Sequence, residues 1–255
     1  MAFNGPYNLK GSGAFSALRP ILNQIKFHKP SLAILSGPFY SRYDKELTSY
    51  SIFESEKGGT YQPEYKSSRA RQLRNFVTKV MSETQGKTKV MIIPDPNEVD
   101  CLYPLPLPKH SLRHETLDKY QGTCGAPTLF AVEDGRNVRI AYITGDVIVD
   151  LIKNSQLKNY NNKIEASLET LCNQISLYPP FPSKNPVDLS KLPMMSYGFE
   201  NEPDILITSS MTPEKVKVFN GVLCINVKKV TAGAKFGQFA DIKVDRACYD
   251  NSEVS

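Results

Sequence analysis

At 255 residues and 28.5 kDa the chain is long enough for one large domain or two small ones around a full hydrophobic core. Hydrophobic residues at 40% and charged residues at 22% exclude a disordered or fibrous protein. The net charge of +5 is uneven: residues 1–90 hold 14 Lys/Arg against 6 Asp/Glu and residues 91–255 hold 17 against 20, a basic first third too modest to specify nucleic-acid binding.

No apolar run approaches the length of a membrane span, and Met1 to Tyr7 offers neither the basic flank nor the apolar stretch of a secretory signal. A helix is predicted over Ala14 to Phe27, with Leu18, Ile21, Leu22 and Ile25 on one face and Pro20 in its first turns. Leu32 to Ser36 reads as a buried strand ended by Gly37. Ser67 to Met81 follows as a helix burying Leu73, Phe76, Val77 and Val80, and Lys89 to Ile93 as a second buried strand. Thr128 to Glu133 and Asn137 to Ile143 flank Asp134-Gly135, a hairpin signal. Asn161 or Asn162 is placed to cap a helix whose stripe is Ile164, Leu168, Leu171, Cys172 and Ile175. Asp204 to Thr208, Lys215 to Phe219, Val222 to Val227 and Phe239 to Val244 read as strands. The Pro-rich stretches Tyr103 to Pro108 and Tyr178 to Pro193 read as loops pinned across the end of a sheet, and Asp245 to Ser255 as a polar tail. Helices interleaved with short strands favour an α/β layered fold, taken as one domain over residues 1–244.

The five cysteines are widely spaced and contain no Cys-x-x-Cys pair, so all five are expected to be free thiols in a reducing compartment. Cys124-Gly125 sits in a turn with no histidine nearby in sequence, the setting of a structural thiol. No phosphate-binding or dinucleotide fingerprint occurs; Gly11-Ser12-Gly13 is a short turn. The basic residues Lys66, Arg69, Arg71, Arg74 and Lys79 are interleaved with a single aromatic, Phe76, on the buried stripe, so a solvated helix face is favoured over a platform for single-stranded DNA.

The strand ends carry an ordered series of signatures: Asn4-Gly5-Pro6-Tyr7, Leu35-Ser36-Gly37-Pro38-Phe39, Ile93-Pro94-Asp95-Pro96-Asn97, Leu177-Tyr178-Pro179-Pro180, then Cys224-Ile225-Asn226 and Gly237-Gln238-Phe239-Ala240. In this order and spacing the chain resembles the B subunits of the eukaryotic replicative DNA polymerases, the alpha branch most, over residues 3–244. The resemblance implies a calcineurin-like phosphoesterase sandwich of two mixed β-sheets flanked by helices. The family normally places an oligonucleotide-binding fold ahead of this domain, for which the chain has no room, so it is read as an excised domain or a shortened form. Its final loop also departs from the family's Asn-Pro-Gly, with Asn226-Val227-Lys228 in its place.

Active phosphoesterases of this fold hold two metal ions through Asp, His and Asn side chains at successive strand ends. Here Asn4-Gly5-Pro6 holds neither Asp nor His, Pro38 follows Gly37 where a bridging Asp is required, and no histidine occurs after His114. The binuclear site is therefore read as lost, and the chain as a protein without catalytic residues, metal or cofactor. A relict pocket is expected from Asn4, Gly37, Pro38, Asp95, Asn97, Tyr178 and Ser209. Gly145-Asp146 is read as a turn and helix start, and His110 and His114 as a solvated first turn rather than a metal pair. Asp95, Asn97, Glu98 and Asp100 read as an acidic loop beside the relict pocket rather than a Mg²⁺ site.

The resemblance implies a nuclear scaffold subunit in DNA replication, bound to the C-terminal domain of the DNA polymerase alpha catalytic subunit and through it to primase, with at most weak DNA contact. Tyr7, Phe39, Tyr40, Tyr103 and Tyr178, aromatics on Gly- and Pro-rich loops, are expected to supply the partner surface. The alternatives are a B subunit of polymerase delta or epsilon, and a phosphoesterase with an atypical metal site near Asp95 and Asn97.

Overall fold

The computed structural model describes residues 1–7, 16–43, 64–84, 87–99, 101–109, 122–133, 137–154, 161–180, 182–232 and 235–244. Strands β1 (Ala2–Asn4), β2 (Leu32–Ser36) and β3 (Lys89–Ile93) form a parallel sheet in that order, with Ala2 opposite Ile34 and Ile34 opposite Met91. The apolar runs of β2 and β3 suit a sheet covered on both faces. Because successive side chains point to opposite faces, Phe3, Leu35 and Ile92 enter one core while Ala2, Ile34 and Ile93 enter another.

The first core is closed by helices α1 (Leu18–His28) and α2 (Glu64–Thr84), which contribute Ile21, Leu22 and Ile25, and Leu73, Phe76, Val77 and Val80. Pro20 lies in the first turn of α1, where its missing N–H breaks no helical bond. Lys29, in the left-handed region at φ 48°, ends the helix by donating its N–H to Ile25 O at 2.8 Å.

The second sheet has five strands: β4 (Thr128–Glu133), β5 (Asn137–Ile143), β6 (Ile205–Ser209), β7 (Lys215–Phe219) and β8 (Val222–Val227), in the order β4-β5-β6-β8-β7. Its centre, β5-β6-β8, is parallel, and β4 and β7 pair antiparallel at the margins. Asn220 and Gly221, at φ 51° and 85°, make the tight turn between β7 and β8, a conformation glycine adopts without strain. Helices α3 (Val147–Asn154) and α4 (Lys163–Asn173) pack on this sheet through Ile148, Leu151, Leu168, Leu171 and Cys172. The layers are thus helices, small sheet, large sheet, helices.

The two ends of the described chain close on each other. Ala2 exchanges backbone hydrogen bonds of 2.9 and 3.0 Å with Ala240, Val230 donates to Asn4 O at 2.7 Å, and the Phe3 and Phe239 ring centroids lie 5.3 Å apart. A two-stranded ribbon of β9 (Thr231–Ala232) and β10 (Lys235–Phe236) precedes this contact.

Single bridges extend the small sheet, antiparallel from Ala240 to Ala2 and parallel from Thr123 to Ile92, so with them both sheets are mixed. Two sequence expectations need correction. Phe239 to Val244 forms no strand beyond the bridge at Ala240: Phe239 turns onto Phe3, and Asp241 reaches back to His28 at 3.2 Å. The stretch Tyr178 to Pro193 runs into a 3-10 helix over Leu189–Met195, capped where Asp188 accepts from Ser190 N at 3.1 Å, and a second 3-10 turn covers Phe199–Asn201. The two Pro-rich loops are pinned to each other, with Leu105 N donating to Pro186 O at 2.8 Å and Asp188 N to Leu105 O at 2.8 Å. Ala14, His110, His114, the Asp134-Gly135 turn and the tail from 245 lie outside the described residues.

Candidate functional site

Parallel strands present their carboxyl ends on one side, where α/β folds place ligand sites. Close approach of the loops there depends on glycine. A Cβ on Gly5 would lie 2.2 Å from Pro38 O, and one on Gly37 would lie 2.4 Å from Glu98 Oε1 and 2.9 Å from Asp95 Cβ. Asn4, Pro38, Asp95 and Asn97 are thereby brought together.

The acids in this cluster hold backbone. Asp95, 3% exposed, accepts from Asn97 N at 2.7 Å through Oδ1 and from Gly145 N at 2.8 Å through Oδ2. Burial pushes its carboxyl above the ordinary value, against the pull of those two N–H groups. Glu98, also buried, accepts from Phe39 N at 2.6 Å and Tyr40 N at 2.9 Å, fixing the loop after β2. Asp146, at φ 59° beside Gly145, accepts from Ser210 Oγ at 2.6 Å and Met211 N at 3.2 Å. Lys229 stands near both Asp146 and Asp95: burial lowers its ammonium, and the charges of those two acids oppose that fall. A lysine ammonium thus supplies positive charge to a cluster of carboxylates.

The uncharged polar groups are also engaged. Ser36 Oγ lies 2.7 Å from Tyr142 OH and donates to Phe3 O at 3.2 Å, and Asn4 Nδ2 donates to Val227 O at 3.3 Å. Burial pushes the Tyr142 hydroxyl well above its ordinary value, so it remains protonated. Thr208 Oγ1 donates to Asn226 Oδ1 at 3.0 Å, and Asn226 Nδ2 donates to Pro213 O at 2.7 Å. Ser209 Oγ bonds Ile143 O at 3.4 Å. Thr144 Oγ1 is the one buried side-chain polar atom among the described residues without a partner.

Tyr178 joins the cluster through a relay. Asn185 Nδ2 donates to Gly145 O at 2.9 Å and to Tyr178 OH at 2.7 Å, and Tyr178 OH donates to buried Asp150 Oδ2 at 2.8 Å. Asp150 also accepts from Lys184 N at 3.0 Å and Asn154 Nδ2 at 2.9 Å, tying α3 to the Pro-rich loop.

Asn4 ends β1, Gly37 and Pro38 follow β2, Asp95 and Asn97 follow β3, Ser209 ends β6 and Tyr178 is tied in through Asn185, while the aromatics expected to supply a partner surface form no exposed face. Tyr7, Phe39, Tyr40 and Tyr178 are buried and only Tyr103 is half-exposed. Tyr7 stacks on Phe39 with ring centroids 5.2 Å apart and bonds Ser36 O at 2.8 Å, so its loop is anchored inward. Sequence reading missed Ser36, Tyr142, Asp150, Asn185 and Lys229. Gly145-Asp146 forms the turn into α3 as read, with Asp150 N donating to Asp146 O at 3.2 Å, and the Asp146 side chain in addition reaches forward to the loop after β6. The Gly145-Asp146 pair was the signal available for that residue.

The donor set does not fit the two-metal site that the resemblance brought into question. Both oxygens of Asp95 are turned to backbone N–H groups, and no cluster of three or more His, Cys, Asp or Glu capable of holding a metal occurs among the described residues. The one described histidine, His28, pairs with Asp241 at 3.2 Å and lines no hydroxyl or thiol in this cluster. What the arrangement does is lock the ends of β1, β2, β3, β5, β6 and β8 to one another.

A family described as the B subunit of DNA polymerase alpha/epsilon matches residues 1–217. The B subunit of DNA polymerase alpha from Dictyostelium discoideum is 24% identical over 259 aligned positions, covering 99% of this chain and 38% of that protein. The B subunit of DNA polymerase alpha from Drosophila melanogaster is 23% identical, covering 93% of this chain and 36% of that one. The chain thus spans under two fifths of the length of these curated relatives. Among solved structures, TT1561 of Thermus thermophilus aligns over 90% of this chain and 88% of its own at 11% identity and a TM-score of 0.40.

Proposed function

The chain belongs to the family of B subunits of DNA polymerase alpha/epsilon, and from that premise we propose that it is a non-catalytic accessory subunit of DNA polymerase alpha. Its partner in this reading is the C-terminal domain of the catalytic subunit, with primase held indirectly and the nucleus as its place of work. The observation that carries the reading is the family match over residues 1–217, joined to two curated relatives that both belong to polymerase alpha. The strand-end cluster supports it, because its carboxylates and hydroxyls are spent on holding loops. Loops fixed in advance lose little entropy on docking. Exposed apolar groups for a partner to cover sit on the 3-10 helix of Leu189–Met195, where Leu189, Leu192 and Met194 are 63%, 43% and 70% exposed. The epsilon branch is the second reading, since the family description spans both polymerases.

A melting and co-elution experiment with the alpha catalytic subunit's C-terminal domain tests the proposal, with the epsilon equivalent run beside it. A partner that binds only the folded chain adds about 2.7 kcal/mol at a hundredfold excess over Kd, a rise in Tm of several degrees. A rise with alpha alone is expected. No rise and no co-elution with either would end the scaffold reading, and a rise with epsilon alone would reassign the branch. Two equivalents of bound Mn or Zn, with phosphodiester turnover abolished by Asp95→Ala, would overturn the non-catalytic part.

A further inference from the structure

Cys172 on α4 and Cys224 on β8 face each other across the helix–sheet contact with their sulfurs 3.4 Å apart. They are 52 residues apart in sequence, and both are buried, at 4% and 0% exposure. Cys172 also lines a cavity of about 330 Å³ with Asn173, Ile175, Tyr197, Glu202 and Asn220, whereas Cys224 does not. Cys172 therefore borders space open to a small solute, and Cys224 sits behind it at 3.4 Å between sulfurs. The geometry points to a redox modification site: a peroxide-sensitive dithiol in which Cys172 is the attacked thiol and Cys224 the resolving one, closing to a disulfide that staples α4 to the large sheet.

The step balances with hydrogen peroxide as the oxidant. The Cys172 thiolate attacks one peroxide oxygen, the O–O bond breaks, and Cys172 becomes a sulfenic acid with release of hydroxide, which takes up the thiol's proton as water. The Cys224 sulfur then attacks the Cys172 sulfur, the S–O bond breaks, and a second water leaves. Two thiols and one peroxide become one disulfide and two waters, with two electrons passing to the peroxide. A disulfide has its sulfurs about 2.05 Å apart, so the pair must close by about 1.4 Å, within reach of side-chain rotation and a slight shift of α4. The shared S–H makes Cys172 the more readily ionised of the two, since a thiol donated by Cys224 stabilises its thiolate. Burial pushes the half-buried Cys101 and Cys124 thiols up, without the hydrogen bond from a second thiol that offsets burial at Cys172.

The test uses the reduced 255-residue chain. After hydrogen peroxide treatment, alkylation and digestion without reductant, mass spectrometry is expected to find a Cys172–Cys224 linked peptide pair. Denaturing titration should count two thiols fewer than the five in the sequence, and dithiothreitol should restore them. The oxidised wild type should unfold at higher urea than the reduced form, and Cys172→Ser should abolish both the link and that shift. Peroxide that leaves both residues as alkylated thiols would overturn the proposal. So would sulfinic or sulfonic acid at Cys172 without the link, or a link through Cys101 or Cys124. The wild-type peptide map decides these outcomes even if a variant fails to fold.

Discussion

Two backbone N–H groups, of Asn97 and Gly145, depend on the buried Asp95 carboxylate, which joins the ends of β3 and β5. Asp95→Ala strands both donors without solvent, and a buried unmet donor costs on the order of 1–3 kcal/mol, so the variant should lose about 2–4 kcal/mol in urea unfolding. The same residue makes a pH prediction. Because burial raises Asp95 in the fold, its contribution is complete below the unfolded value of about 3.9 and is lost as pH rises through the higher folded value. The stability of wild type minus that of Asp95→Asn should therefore fall as pH rises across that window; a flat or rising difference would contradict the assignment. Asp95 and Gly37 were legible in the sequence because a polar or glycine residue directly after a buried apolar run marks a strand end. Asn185 and Asp150 were not, because their partners lie 40 and 28 residues away and no local spacing encodes such pairs.

At the scale of elements, α4 is the helix whose start the sequence announces most clearly. Asn162 accepts from Ile164 N and Glu165 N at 3.2 and 3.3 Å, and donates to Glu165 Oε1 at 3.0 Å. Asn162→Ala should cost about 1 kcal/mol and lower Tm by about 2–4 °C, read in a thermal melt. Glu165 also carries α4 to the sheet edge by pairing with Lys215 and Lys217, whose hydrogen bonds pull its carboxyl down to about 2. That tie is present above about pH 4.3 and is lost as pH falls through the folded value, and its exposure keeps it weak. Strands β4, β5, β7 and β8 were legible to the residue because each apolar or alternating run stops at a turn signal. Periodicity did not show three-residue β1, since Ala2, Phe3 and Asn4 are too few to display a period of two, and only the resemblance put a strand end at Asn4. Phe239 to Val244 misled because its alternation of apolar and charged residues imitates a strand, while Asp241 is drawn to His28 and Phe239 to Phe3.

The whole molecule is held shut where its first strand meets residues 229–240. Phe3 is fully buried there against Phe239. Phe3→Ala should cost about 3–5 kcal/mol in urea unfolding and leave the β1 amides the least protected of the small sheet in hydrogen exchange. Were β1 merely accessory, its exchange would already match that of a frayed end in the wild type. The closure also sets a schedule for synthesis. One edge of β1 can pair with β2 as soon as residue 36 is available, but the other edge waits for Val230 and Ala240. At about 5–20 residues per second, the ribosome needs roughly 10–40 s to deliver them. For that interval a nascent chain carries a half-paired strand and an uncovered Phe3, so the strand that precedes every other described strand is among the last to be sealed, and chaperone capture during translation should concentrate on it.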